Sequence, residues 1–161
     1  MKLSIKEMNE HFASEILQWQ YVAPYDFYNN ELSGENVQEM LDNPYFAIFN
    51  NHSELIGYYC TGKAAQVPKG QGFGAYEEHC IDIGIGLKPN LTGQGLGTAF
   101  FSFIVQTVQE EYQLPLRLTV ALFNKRAIHL YEKFGFVKAI EFSTPTEFVT
   151  MVKKCRISIK I

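Results

Sequence analysis

The chain has 161 residues, a formal net charge of −3 at pH 7, 47% hydrophobic residues and 14% aromatic residues. This length is typical of one compact domain, and the apolar content excludes a disordered chain because it is enough to form a core. The acidic balance and the lack of a dense Lys/Arg block argue against a general nucleic-acid binder, so we expect no nucleic acid as a partner.

The cysteines and the N-terminus give further limits. Cys60, Cys80 and Cys155 lie far apart, without a CxxC pair or a histidine at zinc-ligand spacing. We therefore expect reduced thiols and no metal. The N-terminus reaches Glu7 before any long apolar run, which predicts neither a signal peptide nor a membrane span. We expect a cytoplasmic protein with no membrane partner.

The hydrophobic pattern alternates between strand and helix periods along the chain, and no linker or repeat divides it. We treat residues 1–161 as one domain and leave the tail from 156 to 161 unassigned. The predicted strands are Leu3–Glu7, Tyr45–Asn50, Glu54–Gly62, His79–Leu87, Leu116–Ala121, Phe136–Phe142 and Phe148–Cys155. The predicted helices run from Asn9 to Trp19, from Glu35 to Leu41, from the segment after Pro89 to Glu111, and from Asn124 to Gly135.

A long connection is predicted between the third and fourth strands. Residues 63–78 contain Pro68 and three glycines, a composition that favours a mobile and functional loop. The strand that follows alternates bulky Ile and Leu residues with Asp82, Gly84 and Gly86. Glycines inside a strand often mark a place where a ligand or another backbone comes close. We therefore expect the face that carries Asp82 to open onto a cleft.

The sequence Thr92-Gly93-Gln94-Gly95-Leu96-Gly97 lies between this strand and a predicted helix. Such a loop can direct several backbone N–H groups at a phosphate. It does not match the Walker loop, because Gly97 is followed by Thr98-Ala99, and it matches the dinucleotide fingerprint poorly, because Thr98 occupies the last glycine position. Taken alone, the loop is equally consistent with a tight turn between strand and helix.

A second motif changes the interpretation. Asn124-Lys125-Arg126-Ala127-Ile128-His129-Leu130-Tyr131-Glu132-Lys133-Phe134-Gly135-Phe136 follows a strand and begins at a natural helix N-cap. Together with the segment from Leu87 to Gly97, it resembles the GCN5-related N-acetyltransferase (GNAT) family. The family pattern is V-x-P-x-x-R-G-x-G-x-G followed by N-x-x-A-x-x-L-Y-E-K-x-G-F, and the two motifs span about half of the chain in the family's order.

The resemblance implies an α/β fold: a mixed, mostly antiparallel twisted sheet flanked by helices, with a splayed strand pair that forms an acyl-CoA cleft. It implies acetyl-CoA as the acyl donor. The implied donor-binding residues are Ile85, Gly86, Leu87, Thr92, Gly93, Gln94, Gly95, Leu96, Gly97, Thr98 and Asn124. Family members usually carry Arg or Gln where this chain has Thr92, so one side-chain contact to phosphate is weaker or made differently here.

The chemistry implied by the resemblance needs a proton donor and a proton acceptor. Tyr131 would face the thioester sulfur, and a phenol can donate a proton or a hydrogen bond to the leaving thiolate. A protonated amine must also lose a proton before it attacks. Strand parity makes Asp82 the first candidate for the general base and keeps Glu78 as a second. An ion-paired or solvated carboxylate remains the alternative for Asp82.

Acceptor recognition is expected from the early helices and loops. Aromatic and acidic residues concentrate between Trp19 and Tyr28 and suit a cationic amine with an apolar stem. We select Tyr25 and Tyr28 as substrate-binding candidates, although core packing explains such residues equally well.

The predicted function is direct transfer of an acetyl group from acetyl-CoA to a primary amine in a ternary complex, with a small-molecule acceptor as partner. The alternatives are a protein N-terminal or lysine acetyltransferase and a non-catalytic acyl-CoA binding module. The sequence also leaves open a homodimer, formed through the alternating C-terminal strand and tail.

Overall fold

The computed structural model describes residues 2–155. Their strands are β1 (Ser4–Glu7), β2 (Tyr45–Phe49), β3 (Leu55–Thr61), β4 (Ile81–Leu87), β5 (Leu116–Ala121), β6 (Val137–Ser143) and β7 (Glu147–Lys153). Their α-helices are α1 (Glu10–Leu17), α2 (Gly34–Asp42), α3 (Gly97–Glu111) and α4 (Lys125–Lys133). The predicted order of strands and helices is confirmed, and the ends that were predicted by residue shift by no more than two positions.

The strands form a sheet in the order β1-β2-β3-β4-β5-β7-β6. Neighbouring strands are antiparallel except for β4 and β5, which run parallel and pair only at Ile81 with Leu116 and at Asp82 with Arg117. Beyond that second pair the two strands share no ladder, so the sheet is open there. The α/β fold with a mostly antiparallel sheet, expected from the resemblance, is confirmed.

Side chains on the two faces of the sheet pack against different helices. Helices α1 and α2 cover the β2–β3 part of one face, through residues such as Ile16 and Met40. Helices α3 and α4 cover the opposite face, where Phe101, Ile104 and Ile128 join the largest buried cluster. The open space between β4 and β5 therefore lies at the centre of the sheet, between these two layers.

Short polar side chains define where the helices begin. Asn9 accepts a hydrogen bond from the Phe12 amide at 2.8 Å, and Ser33 does the same for the Asn36 amide at 3.1 Å. These caps satisfy amides that have no partner inside the helix. Gly135 ends α4 with a φ of 89°, a left-handed conformation that favours glycine.

The connection between β3 and β4, predicted as a mobile loop, contains two short 3₁₀ turns, Gly62–Ala65 and Pro68–Phe73. Ala75 is buried with Phe142 and Phe148 from the far half of the sheet. The Tyr76 hydroxyl accepts a hydrogen bond from the Val67 amide at 2.9 Å. This connection is therefore packed against the sheet along much of its length.

The glycines of β4 make room for side chains of the neighbouring strand. A Cβ added at Gly86 would meet the ring of Tyr58, and one added at Gly84 would lie 2.9 Å from the sulfur of Cys60. Both neighbours lie on β3, so these glycines make room for the side chains of an adjacent strand. Gly84 and Gly86 also border the open space between β4 and β5, whereas Asp82 does not.

Two further expectations concern the C-terminal tail and membrane-spanning helices. The C-terminal tail from 156 to 161, which we expected to contribute to a dimer edge, lies outside the described residues. Among the helices between residues 2 and 155, none combines the length and the apolar character needed to span a membrane.

Candidate functional site

The open edge of β4 offers backbone hydrogen-bonding groups to the cleft. The Lys88 amide donates to the Ile56 carbonyl on the β3 side at 2.8 Å. Because N–H and C=O groups alternate in direction along a strand, those of Ile85 and Leu87 point to the other side, toward β5. The ladder with β5 has already ended at Asp82. The Leu87 carbonyl accepts a hydrogen bond there from the Tyr21 hydroxyl at 2.8 Å.

A cavity of about 720 Å³ occupies the space between the separated strands. Pockets of this size are typical of small-molecule and cofactor sites. It is lined by the following predicted donor-binding residues: Ile85, Gly86, Leu87, Thr92, Gly93, Gly95, Gly97, Thr98 and Asn124. Gln94 and Leu96 belong to the same loop but are not part of the lining.

The glycine loop leaves backbone donors unused. Gly93 and Gly95 have φ values of 73° and 78°, which other residues adopt only with strain. Within the described part of the chain, the backbone N–H groups of Gly93, Gln94 and Gly95 donate no hydrogen bond, whereas the Gln94 side-chain amide donates to the Asn90 carbonyl at 2.7 Å. Three free N–H groups just before α3 form an arrangement that suits an anion.

Asn124 links the start of α4 to the aromatic segment, by which we mean residues 19–28. Its side-chain oxygen accepts from the Ala127 amide at 3.2 Å and caps the helix. Its side-chain nitrogen donates to the Tyr28 hydroxyl at 3.2 Å. The same amide group therefore fixes the helix start and contacts a residue of the cavity wall.

Tyr131 lies two helical turns after Asn124 and also lines the cavity. The residue is 8% exposed, and its ring packs against Phe101 and Phe136. The hydroxyl makes no hydrogen bond with any residue between 2 and 155. Burial raises the pKa of the Tyr131 phenol above its ordinary value, and the nearby Tyr28 phenol raises it further. This group therefore stays protonated at neutral pH.

The two predicted base candidates do not face the cavity. Asp82 is 3% exposed, and its carboxylate forms a two-point ion pair with Arg117, with Oδ1 2.7 Å from Nε and Oδ2 2.8 Å from Nη2. Oδ2 also accepts from Gln66 at 2.9 Å. The side chain of Glu78 is exposed. The backbone carbonyl of Glu78 accepts a hydrogen bond from Arg117 Nη1 at 3.0 Å. The geometry does not support either carboxylate as the general base.

The aromatic segment contacts the predicted donor-binding motifs. Residues Tyr25–Tyr28 form a 3₁₀ turn, and both candidate substrate-binding tyrosines line the cavity. Tyr28 contacts Asn124, as described above, and the Tyr25 ring lies under the Arg126 guanidinium, 4.4 Å from ring centroid to Cζ. The predicted acceptor residues are therefore close to the predicted donor site.

Two lining residues, Tyr58 and Arg126, were not selected from the sequence. Arg126 follows the Asn124 cap by two positions, and its place beside a predicted phosphate loop was the available signal. Tyr58 had no such signal, because it meets Gly86 only through the register of β3 and β4.

Residues 11–136 match the family model described as the acetyltransferase (GNAT) family. The chain belongs to this family. The match confirms both the resemblance and the expected class of enzyme, an acetyltransferase. A comparison with curated proteins gave no match.

Solved structures with the GNAT fold align along nearly the whole chain. One is aminoglycoside acetyltransferase AAC(6')-Ib in complex with coenzyme A and kanamycin, with 24% identity, a TM-score of 0.70 and 95% of each chain covered. Another is a chimera of spermidine N-acetyltransferase SpeG from Vibrio cholerae and hSSAT, with 16% identity, a TM-score of 0.71 and 96% of each chain covered. A third is an acetyltransferase from Acinetobacter baylyi ADP1, with 14% identity, a TM-score of 0.69 and coverage of 95% of this chain and 93% of the other.

The charges in the wall of the GNAT cavity are distributed unevenly. Cationic or titratable side chains reach it from α4, namely Arg126, His129 and Lys133. Aromatic rings line it on the side of α1 and β3, including Trp19 and Tyr58. Among residues 2–155, no cluster of three or more His, Cys, Asp or Glu side chains has the geometry to hold a metal ion. The cationic side chains of the lining thus come from α4, the helix that also carries Tyr131.

Proposed function

We propose that this GNAT protein transfers an acetyl group from acetyl-CoA directly to the primary amine of a small molecule. The observation that carries the proposal is the continuous lining of the cavity, which includes the glycine loop, the open edge of β4, Tyr131 and the aromatic segment. A donor and an acceptor that share this space would meet beside Tyr131.

The chain's own groups account for donor binding in this proposal. The free amides of the glycine loop would hold the pyrophosphate. The N–H and C=O groups of Ile85 and Leu87 would hydrogen-bond the pantetheine arm as an added strand would, and Asn124 would contact the arm further along. Acetyl-CoA supplies an activated acetyl group as a thioester. Neighbours solved with coenzyme A support this choice of donor.

Tyr131 would act mainly as a hydrogen-bond donor to the departing sulfur. Its raised pKa lies above the value of about 8.5 that is typical of a thiol, so complete proton transfer from the phenol to the thiolate is uphill. A hydrogen bond from the phenol still stabilises the developing negative charge on the sulfur. The thiolate would then take its proton from the water that has accepted the amine proton.

The amine proton needs a different route, because neither Asp82 nor Glu78 reaches the cavity. We propose that water in the cleft accepts it. Thr119 is a polar lining residue of β5, and its hydroxyl shares a hydrogen bond of 2.8 Å with the Tyr76 hydroxyl. Either hydroxyl can donate this bond, and when Tyr76 donates it the Thr119 proton is left for a water or the substrate.

The acceptor is proposed to be a small amine with an apolar or aromatic body. Several aromatic side chains line the cavity beside the proposed donor site, namely Trp19, Tyr21, Phe27 and Tyr58. Such rings bind apolar groups and can also stabilise a cation by contact with the ring face. Structural neighbours described as aminoglycoside and spermidine acetyltransferases support an amine of small-molecule size.

The first experiment is calorimetric titration of the protein with acetyl-CoA, coenzyme A and ATP at one salt concentration. The proposal predicts saturable one-site binding of acetyl-CoA and much weaker binding of ATP. Failure of both CoA species to bind would contradict the donor site.

Thiol release should then be measured with acetyl-CoA and a panel of acceptors: tyramine, spermidine, kanamycin and a short peptide with free N-terminal and lysine amines. Turnover with a small amine and none with the peptide supports the proposal. The reverse pattern would indicate a protein acetyltransferase, and binding without any turnover would indicate a non-catalytic module.

A further inference from the structure

Thr92 replaces the Arg or Gln expected in the phosphate loop, and the structure shows how its hydroxyl is used. The Thr92 Oγ1 donates to the Pro89 carbonyl at 2.8 Å, inside the turn that precedes the loop. A threonine hydroxyl has only one proton to donate. Phosphate oxygens are acceptors, so Thr92 retains no side-chain donor for them in this conformation.

A cation from another element approaches the same loop. Arg126 lies in the first turn of α4 and lines the cavity together with Gly93, Gly95 and Gly97. Its Nη1 lies 3.4 Å from the position that a Cβ would take at Gly93. Arg126 forms no ion pair with any residue between 2 and 155, and the ion pair found in that range joins Arg117 to Asp82.

The guanidinium of Arg126 contacts the ring of Tyr25. The Arg126 Cζ lies over the Tyr25 ring at 4.4 Å from the centroid. Arginine stacked on an aromatic ring keeps its N–H groups directed outward in the plane of the guanidinium, where they can bind phosphate. Tyr25 belongs to the aromatic segment that we assign to the acceptor side.

We propose that Arg126, positioned by Tyr25, is the phosphate-binding side chain of this protein and takes the role that Thr92 cannot fill. The inference rests on the proposed function, because it assumes an acyl-CoA donor. It also links the two substrates, because Tyr25 is both the ring that contacts the phosphate-binding cation and a residue that we selected as a candidate for acceptor binding. Loss of the Tyr25 ring would therefore weaken acetyl-CoA binding, although Arg126, the residue proposed to contact the phosphate, is still present.

The test compares Arg126→Ala with Lys125→Ala, titrated with acetyl-CoA and with S-acetylpantetheine, which lacks the nucleotide phosphates. Lys125 is the matched control, because it is the adjacent exposed cation and does not line the cavity. Arg126→Ala should weaken acetyl-CoA binding about 10- to 100-fold, as expected for lost hydrogen bonds to a charged group. It should leave binding of S-acetylpantetheine unchanged, and Lys125→Ala should leave both unchanged.

Tyr25 is tested in the same assay. Tyr25→Ala should weaken acetyl-CoA binding, whereas Tyr25→Phe, which keeps the ring, should bind acetyl-CoA almost as tightly as the parent protein. In the Arg126→Ala background, Tyr25→Ala should have little further effect on this affinity. The slope of affinity against salt concentration should be smaller for Arg126→Ala than for the parent protein.

The outcomes separate this inference from the proposed function. If the parent protein binds acetyl-CoA but Arg126→Ala binds it as well as Lys125→Ala does, the role of Arg126 is overturned and the donor site stands. If Tyr25→Ala and Arg126→Ala weaken binding independently, the positioning role of Tyr25 is overturned. If the parent protein does not bind acetyl-CoA, the proposed function itself fails.

Discussion

Arg117 and Asp82 form a buried ion pair at the last rung that joins β4 to β5. Each residue is 3% exposed, and the guanidinium contacts both oxygens of the carboxylate. The same pair also holds the β3–β4 connection, through the Gln66 side chain and the Glu78 carbonyl. Because the strands separate just beyond this rung, the pair lies where the cleft begins and fixes the distance between its walls.

Asp82→Asn should therefore act first on stability. The substitution leaves the Arg117 charge buried without a counter-charge, and breaking a buried pair in this way costs about 3–5 kcal/mol. We expect the free energy of unfolding in urea to fall by about that amount. The loss of turnover should follow the loss of folded protein.

Glu78→Gln is the matched control for this substitution. Its side chain is exposed, and its backbone carbonyl remains available to Arg117, so the free energy of unfolding should change by less than about 0.5 kcal/mol. A stable Asp82→Asn protein with a low kcat and an altered pH profile would contradict this account. Such a result would return Asp82 to the role of general base.

Tyr131→Phe should lower turnover and leave donor binding intact. The substitution removes one hydroxyl and keeps the ring contacts with Phe101 and Phe136. Loss of a positioned donor in the transition state lowers kcat by about 10²-fold or more. Tyr112→Phe, at the end of α3 and outside the cavity lining, is the control. An unchanged kcat would exclude Tyr131 as the group that stabilises the leaving thiolate.

Alkaline pH should destabilise the fold through its buried acids. Burial raises the pKa of Tyr21, Tyr59 and Cys60 to about 12 in each case. Their ordinary values are about 10 for a phenol and about 8.5 for a thiol, so the unfolded chain ionises first as pH rises. The unfolded state then binds fewer protons than the folded state, and stability falls with increasing pH.

Urea unfolding should therefore give a constant free energy below about pH 8 and a falling one between about pH 9 and pH 12. Phenolate absorbance, recorded in the same samples, should show that tyrosine ionisation accompanies unfolding. Full stability at about pH 11, with ionised tyrosines in the folded protein, would contradict the assigned burial.

The sequence predicted the fold, and most of the residues expected to bind the donor line the cavity, because both expectations follow from local patterns. The Asn124 cap, the glycine loop and Tyr131 at a fixed distance along α4 are short-range features. The predicted base candidates do not reach the cavity, and for Asp82 the reason is physical. Strand parity correctly placed Asp82 on the face of Gly84 and Gly86, but parity does not tell what covers that face. Arg117 lies 35 positions away and becomes its partner only through the pairing of β4 with β5.

The glycines of the sheet illustrate the same limit. Gly84 and Gly86 suggested an opening, whereas Cys60 and the Tyr58 ring occupy the space beside them. Sequence shows that a residue is small, and only the register of β3 against β4 shows which neighbour uses the room. Contacts of this kind depend on tertiary packing, and the hydrophobic periodicity of the sequence does not predict them.

Gly57→Ala should destabilise the protein more than any change in an open loop. A Cβ at Gly57 would meet the Phe100 ring and lie 2.7 Å from the Gly86 carbonyl oxygen. Overpacking of this kind typically costs about 1–3 kcal/mol, because the neighbouring backbone has to move. Gly72→Ala, which would meet nothing within 4 Å, is the control. Equal free energies of unfolding for the two variants would contradict the packing of β3 against α3.

Asn124→Ser should separate the two roles of Asn124. Serine is as good an N-cap as asparagine, so the hydrogen bond to the Ala127 amide can be replaced and the free energy of unfolding should change by less than about 0.5 kcal/mol. Serine lacks the amide nitrogen that now donates to Tyr28 and is proposed to contact the donor arm. One lost hydrogen bond corresponds to about a fivefold weaker affinity for acetyl-CoA by calorimetry.

Asn124→Ala should show the same loss of affinity together with about 1 kcal/mol of destabilisation, because the cap is lost as well. Full affinity in the serine variant would limit Asn124 to helix capping and leave donor recognition to the glycine loop and the edge of β4.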